Sequence, residues 1–217
     1  MVTGSHCMEC GHRLRWYDLF PVLSWLFLKG KCRYCGSKIS VQYPIIEALN
    51  GGLYIAVFLL NGINIDSLLI CLLFSALLTL SVIDFRTLEI PVGINIFILA
   101  LGLIRLVLHY SDWLEYVIGL FAVSTFLWII YQLSKGRATG GGDIKLMAAA
   151  GLFLGWKLII LAYCAANIIG AIVHVIRMKV SGEGKVLAMG PYLSIGIALA
   201  ALWGDKFISW YLSICGF

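Results

Sequence analysis

Residues 67–84 read SLLICLLFSALLTLSVID, and this stretch decides the fold. Seventeen uncharged, mostly apolar residues run without a break into one carboxylate, Asp84. A run of that length approaches the roughly 20 residues a helix needs to cross a hydrocarbon core. An ionisable residue at the edge of such a segment is expensive to keep, which makes Asp84 a candidate functional position. A second carboxylate has the opposite placement. Asp143 follows Thr139-Gly140-Gly141-Gly142 and leads into Ile144-Lys145-Leu146 and a further apolar segment.

Composition extends this reading to the whole chain. Of 217 residues, 61% are hydrophobic and 12% charged, whereas soluble domains are nearer half apolar and a quarter charged. The expected fold class is an all-α polytopic membrane protein. Residues 44–217 have room for about seven transmembrane helices, and residues 1–43 form a small cytosolic Cys-rich, zinc-ribbon-like module. Spans are expected at 44–60, 67–83, 92–109, 113–133, 144–154 and 158–176. A last apolar stretch starts at Gly190-Pro191 and is interrupted by Gly204-Asp205-Lys206, so one helix and a span with a short tail are both open. Pro91 is suited to start its helix. The 144–154 segment is short, and Ala148-Ala149-Ala150-Gly151 with Gly155 gives small-residue spacing that lets helices approach closely. Met1–Cys10 holds no apolar core of the length a secretory signal needs.

The net charge is +5, and thirteen of the sixteen Lys and Arg lie in four places: 13–38, Arg86, 135–145 and 177–185. Arg105, Lys157 and Lys206 are left over. Cationic loops stay on the cytoplasmic side, so the four regions should share that face. Topology is then sufficient to explain them without nucleic acid. Counting crossings brings Asp84 and Asp143 to the same cytoplasmic surface.

Two carboxylates at one surface can share a proton, one activating water while the other protonates the substrate, and such a pair titrates as a unit. Asp84 ends a helix, where the dipole disfavours negative charge, and Asp143 begins one, where it is favoured. That predicts Asp143 as the ionised base and Asp84 as the acid, an order that Arg86 or Lys145 could modify. Plainer readings stand beside it. Asp143 could be an N-cap, Asp84 an interfacial carboxylate, and Gly140–Gly142 a linker rather than a bed for an extended peptide. Glu89 and Glu183 are alternative acids on the same face. A proton-coupled transporter or ion-conducting protein is a further alternative, but it would want carboxylates near mid-bilayer. A non-catalytic assembly factor is another.

Seven cysteines divide into two groups. Cys71, Cys164 and Cys215 lie in apolar segments as small hydrophobes. Cys7, Cys10, Cys32 and Cys35 form two C-x-x-C pairs, and in a cytosolic setting metal is favoured over disulfide. Four thiolates suit a structural, tetrahedral zinc that would supply a small module with its missing core; His6 or His12 could replace a ligand. A full protein ligand set leaves no open position for catalysis. Arg13, Arg15, Trp16, Trp25, Lys29 and Lys31 read as an interfacial belt, and His174 as a packed or interfacial residue.

Several motifs together carry a resemblance. Gly140-x-Gly142-Asp143 continues as Ile144-Lys145-Leu146, and Asp84 is followed by Ile90-Pro91. Upstream lie the cysteine pairs, Trp16–Trp25 with its internal Pro21, and Tyr43-Pro44-x-x-Glu47; downstream lies Gly190-Pro191. The chain resembles the type IV prepilin peptidase, or leader peptidase, family of G-x-G-D membrane aspartic proteases over nearly its whole length. The resemblance implies a bacterial multi-pass protein of the cytoplasmic membrane, with an active site facing the cytoplasm. It implies removal of the basic leader from type IV prepilins or pseudopilins, with Asp84 and Asp143 catalytic and no metal in the chemistry. Gly140, Gly142, Lys145 and Pro91 are implied as supporting motif residues. Many members also methylate the new N-terminus with S-adenosylmethionine. Members usually carry another apolar span and a Gly-Ser-Phe-Leu-Asn-like stretch before the first cysteine pair, which this chain lacks. The resemblance therefore supports cleavage more than methylation. Val92 also stands where an acidic residue is common.

Overall fold

The computed structural model describes residues 6–137, 139–181 and 188–215. Glu183, one of the alternative acids, lies outside the described residues. The chain divides into two compact units, Met1–Ala56 and Val57–Phe217.

The first unit is held by side-chain to backbone bonds more than by a core. A 3-10 turn at Trp16–Leu19 precedes the short α1 (Leu23–Phe27). Trp25 donates Nε1–H to the Ile39 carbonyl at 3.2 Å. Gly30, at φ +70°, lets the chain turn against that indole; a Cβ there would stand 2.8 Å from Trp25 Cζ2. Glu47, in α2 (Gln42–Asn61), accepts the Val22 N–H at 2.8 Å. Asp18 accepts from Arg33 Nε at 2.8 Å and Tyr34 Oη at 3.4 Å, so the tryptophan-rich segment is tied to the second cysteine pair.

The second unit is helical wherever it is described. After α2 come α3 (Ile65–Thr87), α4 (Val92–Leu108), α5 (Trp113–Ala122) and α6 (Ser124–Leu133), then α7 (Gly141–Leu154), α8 (Trp156–Ser181) and α9 (Gly190–Cys215). Among the described residues, four helical stretches are long and apolar enough to cross a membrane: Gln42–Asn61, Ile65–Thr87, Tyr110–Leu133 and Trp156–Val180. Val92–Leu108 is apolar but shorter, and α7 has 14 residues. Outward positions on these helices are large and apolar, among them Ile104, Phe121, Ile168 and Ile172. A soluble helix would place polar residues there, so these faces suit lipid.

Element ends depart from expectation in instructive ways. Helix α3 continues beyond 83 to Thr87, whose Oγ1 donates to the Ile83 carbonyl at 3.0 Å. It closes at Leu88, which takes the left-handed conformation (φ 56°) and donates its N–H to the Asp84 carbonyl at 2.8 Å. Asp84 is thus one turn inside α3 rather than at its tip. Helix α7 begins at Gly141, so Asp143 is its third residue and does not open it. Pro91 sits at the N-cap of α4, just ahead of its first residue. The 113–133 span divides at Val123, where Ser124 Oγ bonds back to the Leu120 carbonyl, a pattern that bends helices. The last stretch is one helix, and Gly204-Asp205-Lys206 does not break it.

Close helix approach explains the small residues. Gly151 of α7 and Gly119 of α5 meet backbone to backbone, leaving no room for a Cβ on either. Gly102 of α4 abuts Leu152 and Phe153 of α7, with 3.1 Å from its would-be Cβ to the Phe153 nitrogen. Gly196 of α9 presses on the Ala162 carbonyl of α8. Without a hydrophobic driving force in lipid, such packing and its dispersion contacts hold helices together. Helix α4 packs on both α3 and α7, and α9 on both α3 and α8.

Candidate active site and metal centre

A cavity of about 500 Å³ opens where three helix ends converge. The last turn of α3 and its following loop give Asp84, Leu88, Glu89 and Ile90. Gly136, Arg137, Thr139 and Gly140 line it from the segment before α7, Gly141–Asp143 from the first turn of α7, and Ala188 and Met189 from just ahead of α9. Asp84 and Asp143, 59 positions apart in the chain, therefore face one space.

Asp84 is buried, with 4% of its surface exposed. Its Oδ2 accepts the Gly190 N–H at 2.8 Å. Gly190 is the first residue of α9, so this carboxylate lies on the positive end of a second helix while sitting in the last turn of its own. Asp143 is half-buried, and its Oδ2 accepts the Gly140 N–H at 3.3 Å, reaching back over the first turn of α7. Each carboxylate thus holds a backbone N–H at a helix start. For Asp84 the start of α9 offsets the end of α3, so helix dipoles no longer separate an acid from a base.

The glycines are where close approach requires them. A Cβ on Gly190 would stand 2.6 Å from Asp84 Oδ2, and one on Gly142 2.9 Å from Ile90 Cβ. One on Gly140 would be 3.1 Å from Asp143 Oδ2, whereas Gly141 meets nothing within 4 Å. Ile90 seats the loop after α3 against the first turn of α7, and Pro91 carries the chain away into α4. Lys145 is exposed and is not among the cavity's lining residues, nor is Arg86. Sequence reasoning missed Arg137 as a lining cation and the Gly190 N–H as the partner of Asp84. Gly190-Pro191 was visible as a motif, but no local pattern told which side chain it would meet.

The cysteine quartet is built from two copies of one turn. Cys7 N–H bonds the His12 carbonyl at 3.0 Å and Gly11 N–H returns to the Cys7 carbonyl at 2.9 Å. Cys32 repeats this with Ser37 and Gly36, at 2.8 and 2.9 Å. Gly11 and Gly36 take φ +67° and +71°, and isolated bridges His6↔Arg13 and Lys31↔Lys38 close both turns. Both turns share the pattern C-x-x-C-Gly, at 7–11 and 32–36. All four Sγ atoms lie within 4.8 Å of one another, and Cys7 and Cys35 are 3.8 Å apart. A tetrahedral zinc with Zn–S near 2.3 Å spaces its sulfurs by roughly 3.8 Å. The donor set fits a metal, and neither His6 nor His12 belongs to it. The Cys7 thiol is lowered to about 6, first by the Cys10 backbone N–H and then by that of Glu9 and the Ser37 hydroxyl. Cys10 goes the other way, to about 11, the His12 backbone N–H lowering it while burial and the Cys35 and Cys7 sulfurs raise it, so a metal would find one thiolate ready and displace the proton of another.

The chain matches two family models: the bacterial peptidase A24 N-terminal domain over residues 1–60, and the type IV leader peptidase family over residues 71–175. Curated relatives named prepilin leader peptidase/N-methyltransferase agree. One from Pseudomonas putida is 33% identical across 100% of this chain and 77% of its own length. One from Aeromonas salmonicida is 35% identical across 98% and 76%. One from Bacillus subtilis is 34% identical across 97% and 86%. No solved structure matches the chain.

Proposed function

The chain belongs to the type IV leader peptidase family, and from that premise we propose that Asp84 and Asp143 are its catalytic pair, cutting the leader from type IV prepilins or pseudopilins. It is an aspartic endopeptidase of the bacterial membrane. One observation carries the assignment: two carboxylates from separate helices line a single cavity. Chemistry follows from the pair. One carboxylate, ionised, takes a proton from water as its oxygen attacks the scissile carbonyl carbon. The other, protonated, hydrogen-bonds the carbonyl oxygen and delivers a proton as the amine leaves. The Gly190 N–H and the start of α9 stabilise negative charge on Asp84, while the glycine-lined wall admits an extended backbone.

Both carboxylates lie in terminal turns of their helices. That supports hydrolysis at the membrane rim over a proton path, which would favour groups at mid-depth. The cavity's end also carries Arg86, Lys135 and Arg137, which supports a cytoplasmic orientation. In this reading the shorter α4 and α7 and the 26-residue α9 join the four long apolar stretches as about seven crossings. The cysteine module, residues 1–43, binds zinc through Cys7, Cys10, Cys32 and Cys35. That metal would supply folding stability to the module rather than chemistry at the cavity. The relatives' names add N-methyltransferase, which would use S-adenosylmethionine.

Purified full-length chain in bilayers, given a prepilin, tests both activities by mass: loss of the leader, and gain of one methyl group on the mature N-terminus. Asp84→Asn and Asp143→Asn should each abolish leader loss while leaving the helical spectrum intact. Unchanged cleavage in both variants overturns the assignment.

A further inference from the structure

Of the cations outside the basic regions, two are ion-paired. Lys157 Nζ stands 3.1 Å from Glu115 Oε1, and Arg105 Nε stands 3.4 Å from Asp66 Oδ1. Arg105 has a second attachment. Its Nη1 donates to the Phe153 carbonyl at 3.0 Å, and its guanidinium lies over the Phe153 ring, 4.8 Å from the centroid. The side chain is only 18% exposed, on an otherwise uncharged helix.

These partners sit on particular helix ends. Asp66 is in the first turn of α3, and Phe153 is the penultimate residue of α7. Its carbonyl is among those an α-helix leaves without an internal partner, and a cation there also complements the dipole. One guanidinium from α4 therefore hydrogen-bonds the finish of α7 and pairs by charge, without a hydrogen bond from its Nε, with the start of α3. The other ends of those helices carry Asp84 and Asp143. Helices are stiff at 1.5 Å per residue, so the grip acts over roughly 27 Å along α3 and 15 Å along α7. Asp66 is held from its other side by His109 Nε2 at 3.4 Å, which restricts where that carboxylate can go.

We propose that Arg105 is a positioning residue for the cleavage site, setting the relative register of α3 and α7 through Asp66 and the Phe153 carbonyl. The inference rests on the reading of Asp84 and Asp143 as the reacting pair. A merely structural arginine would neutralise Asp66 and hold the fold without governing how the two carboxylates meet. The difference is measurable. In the full chain in lipid discs, Arg105→Ala should lower kcat by roughly tenfold to a hundredfold with KM nearly unchanged. Arg105→Lys keeps the charge but lacks the planar fork needed to hold both partners, so it should recover only part of the loss. Asp66→Asn should fall between wild type and Arg105→Ala.

A second readout needs no activity. Spin labels on ketone-bearing residues at the exposed positions 85 and 145 report the near-end separation of α3 and α7. Wild type should give one narrow distance, and Arg105→Ala a shifted or broadened one. Unchanged distance in Arg105→Ala overturns the proposal, including when kcat and folded yield fall together. If Asp84→Asn or Asp143→Asn still cleaves, the catalytic reading fails separately, and the label distances alone decide whether Arg105 sets the register.

Discussion

Replacing Gly190 by alanine is the sharpest probe of the site, because helix propensity and site geometry pull in opposite directions. At a helical position alanine is favoured over glycine by about 1 kcal/mol, and Gly190 has no left-handed φ to protect. The fold should therefore tolerate the change or gain from it. The new Cβ, however, would stand 2.6 Å from Asp84 Oδ2 and 2.9 Å from Cγ, where a real Cβ essentially never comes under 3.0 Å. The carboxylate must retreat by at least about 0.4 Å, and the 2.8 Å bond from the Gly190 N–H is bent or lost. A hydrogen bond to a charged group contributes about 1.5–3 kcal/mol, which converts to a rate loss of roughly 10- to 150-fold. Gly93→Ala is the matched control: it also lies in the first turn of a helix, with nothing within 4 Å of its Cβ. The assay is initial-rate leader cleavage in bilayers, with thermal unfolding measured on the same samples. Gly190→Ala cleaving at the Gly93→Ala rate, with both equally stable, would refute the role given to the start of α9.

Other expectations follow from the same geometry. Within the glycine run, Gly142→Ala forces Ile90 aside and should cut cleavage at least tenfold, whereas Gly141→Ala meets open space and should leave stability unchanged; paired rate and melting measurements separate them. Metal analysis of the purified chain should find one zinc per molecule, and Cys10→Ser or Cys35→Ser should lose it. Chelation should unfold the cysteine module while the far-ultraviolet signal of the membrane helices persists. Acid should release the metal. The Cys7 thiol is lowered to about 6 and that of Cys10 raised to about 11, so bound metal must displace the Cys10 proton, and retention should fall steadily as acid returns protons to the sulfurs. Metal retained well into the carboxylate range would argue against thiolate ligation.

The membrane class, the helical segments and the candidate residues could be read from the chain because each depends on local pattern. Hydropathy of 67–83 needs only the side chains themselves, and C-x-x-C-Gly needs only the backbone's ability to turn at glycine. Errors gathered at helix ends, where one bond decides. The Asp143 carboxylate closing on Gly140 begins α7 earlier, and Thr87 bonding Ile83 prolongs α3 past Asp84. Lys145 looked like a neighbour of the site because it is two residues from Asp143, yet the turn of α7 carries it to the exposed face.

By itself the sequence determined that this is a helical membrane protein with two edge carboxylates and a four-thiol cluster near its start. Tertiary structure alone decided what those groups meet. Asp84 takes its N–H from Gly190, 106 residues away, and Arg105 finds the Phe153 carbonyl 48 residues on. Such partners are chosen by how helices pack and where their ends fall. Periodicity fixes which face of a helix is buried, but it carries no information about which other helix will lie against it.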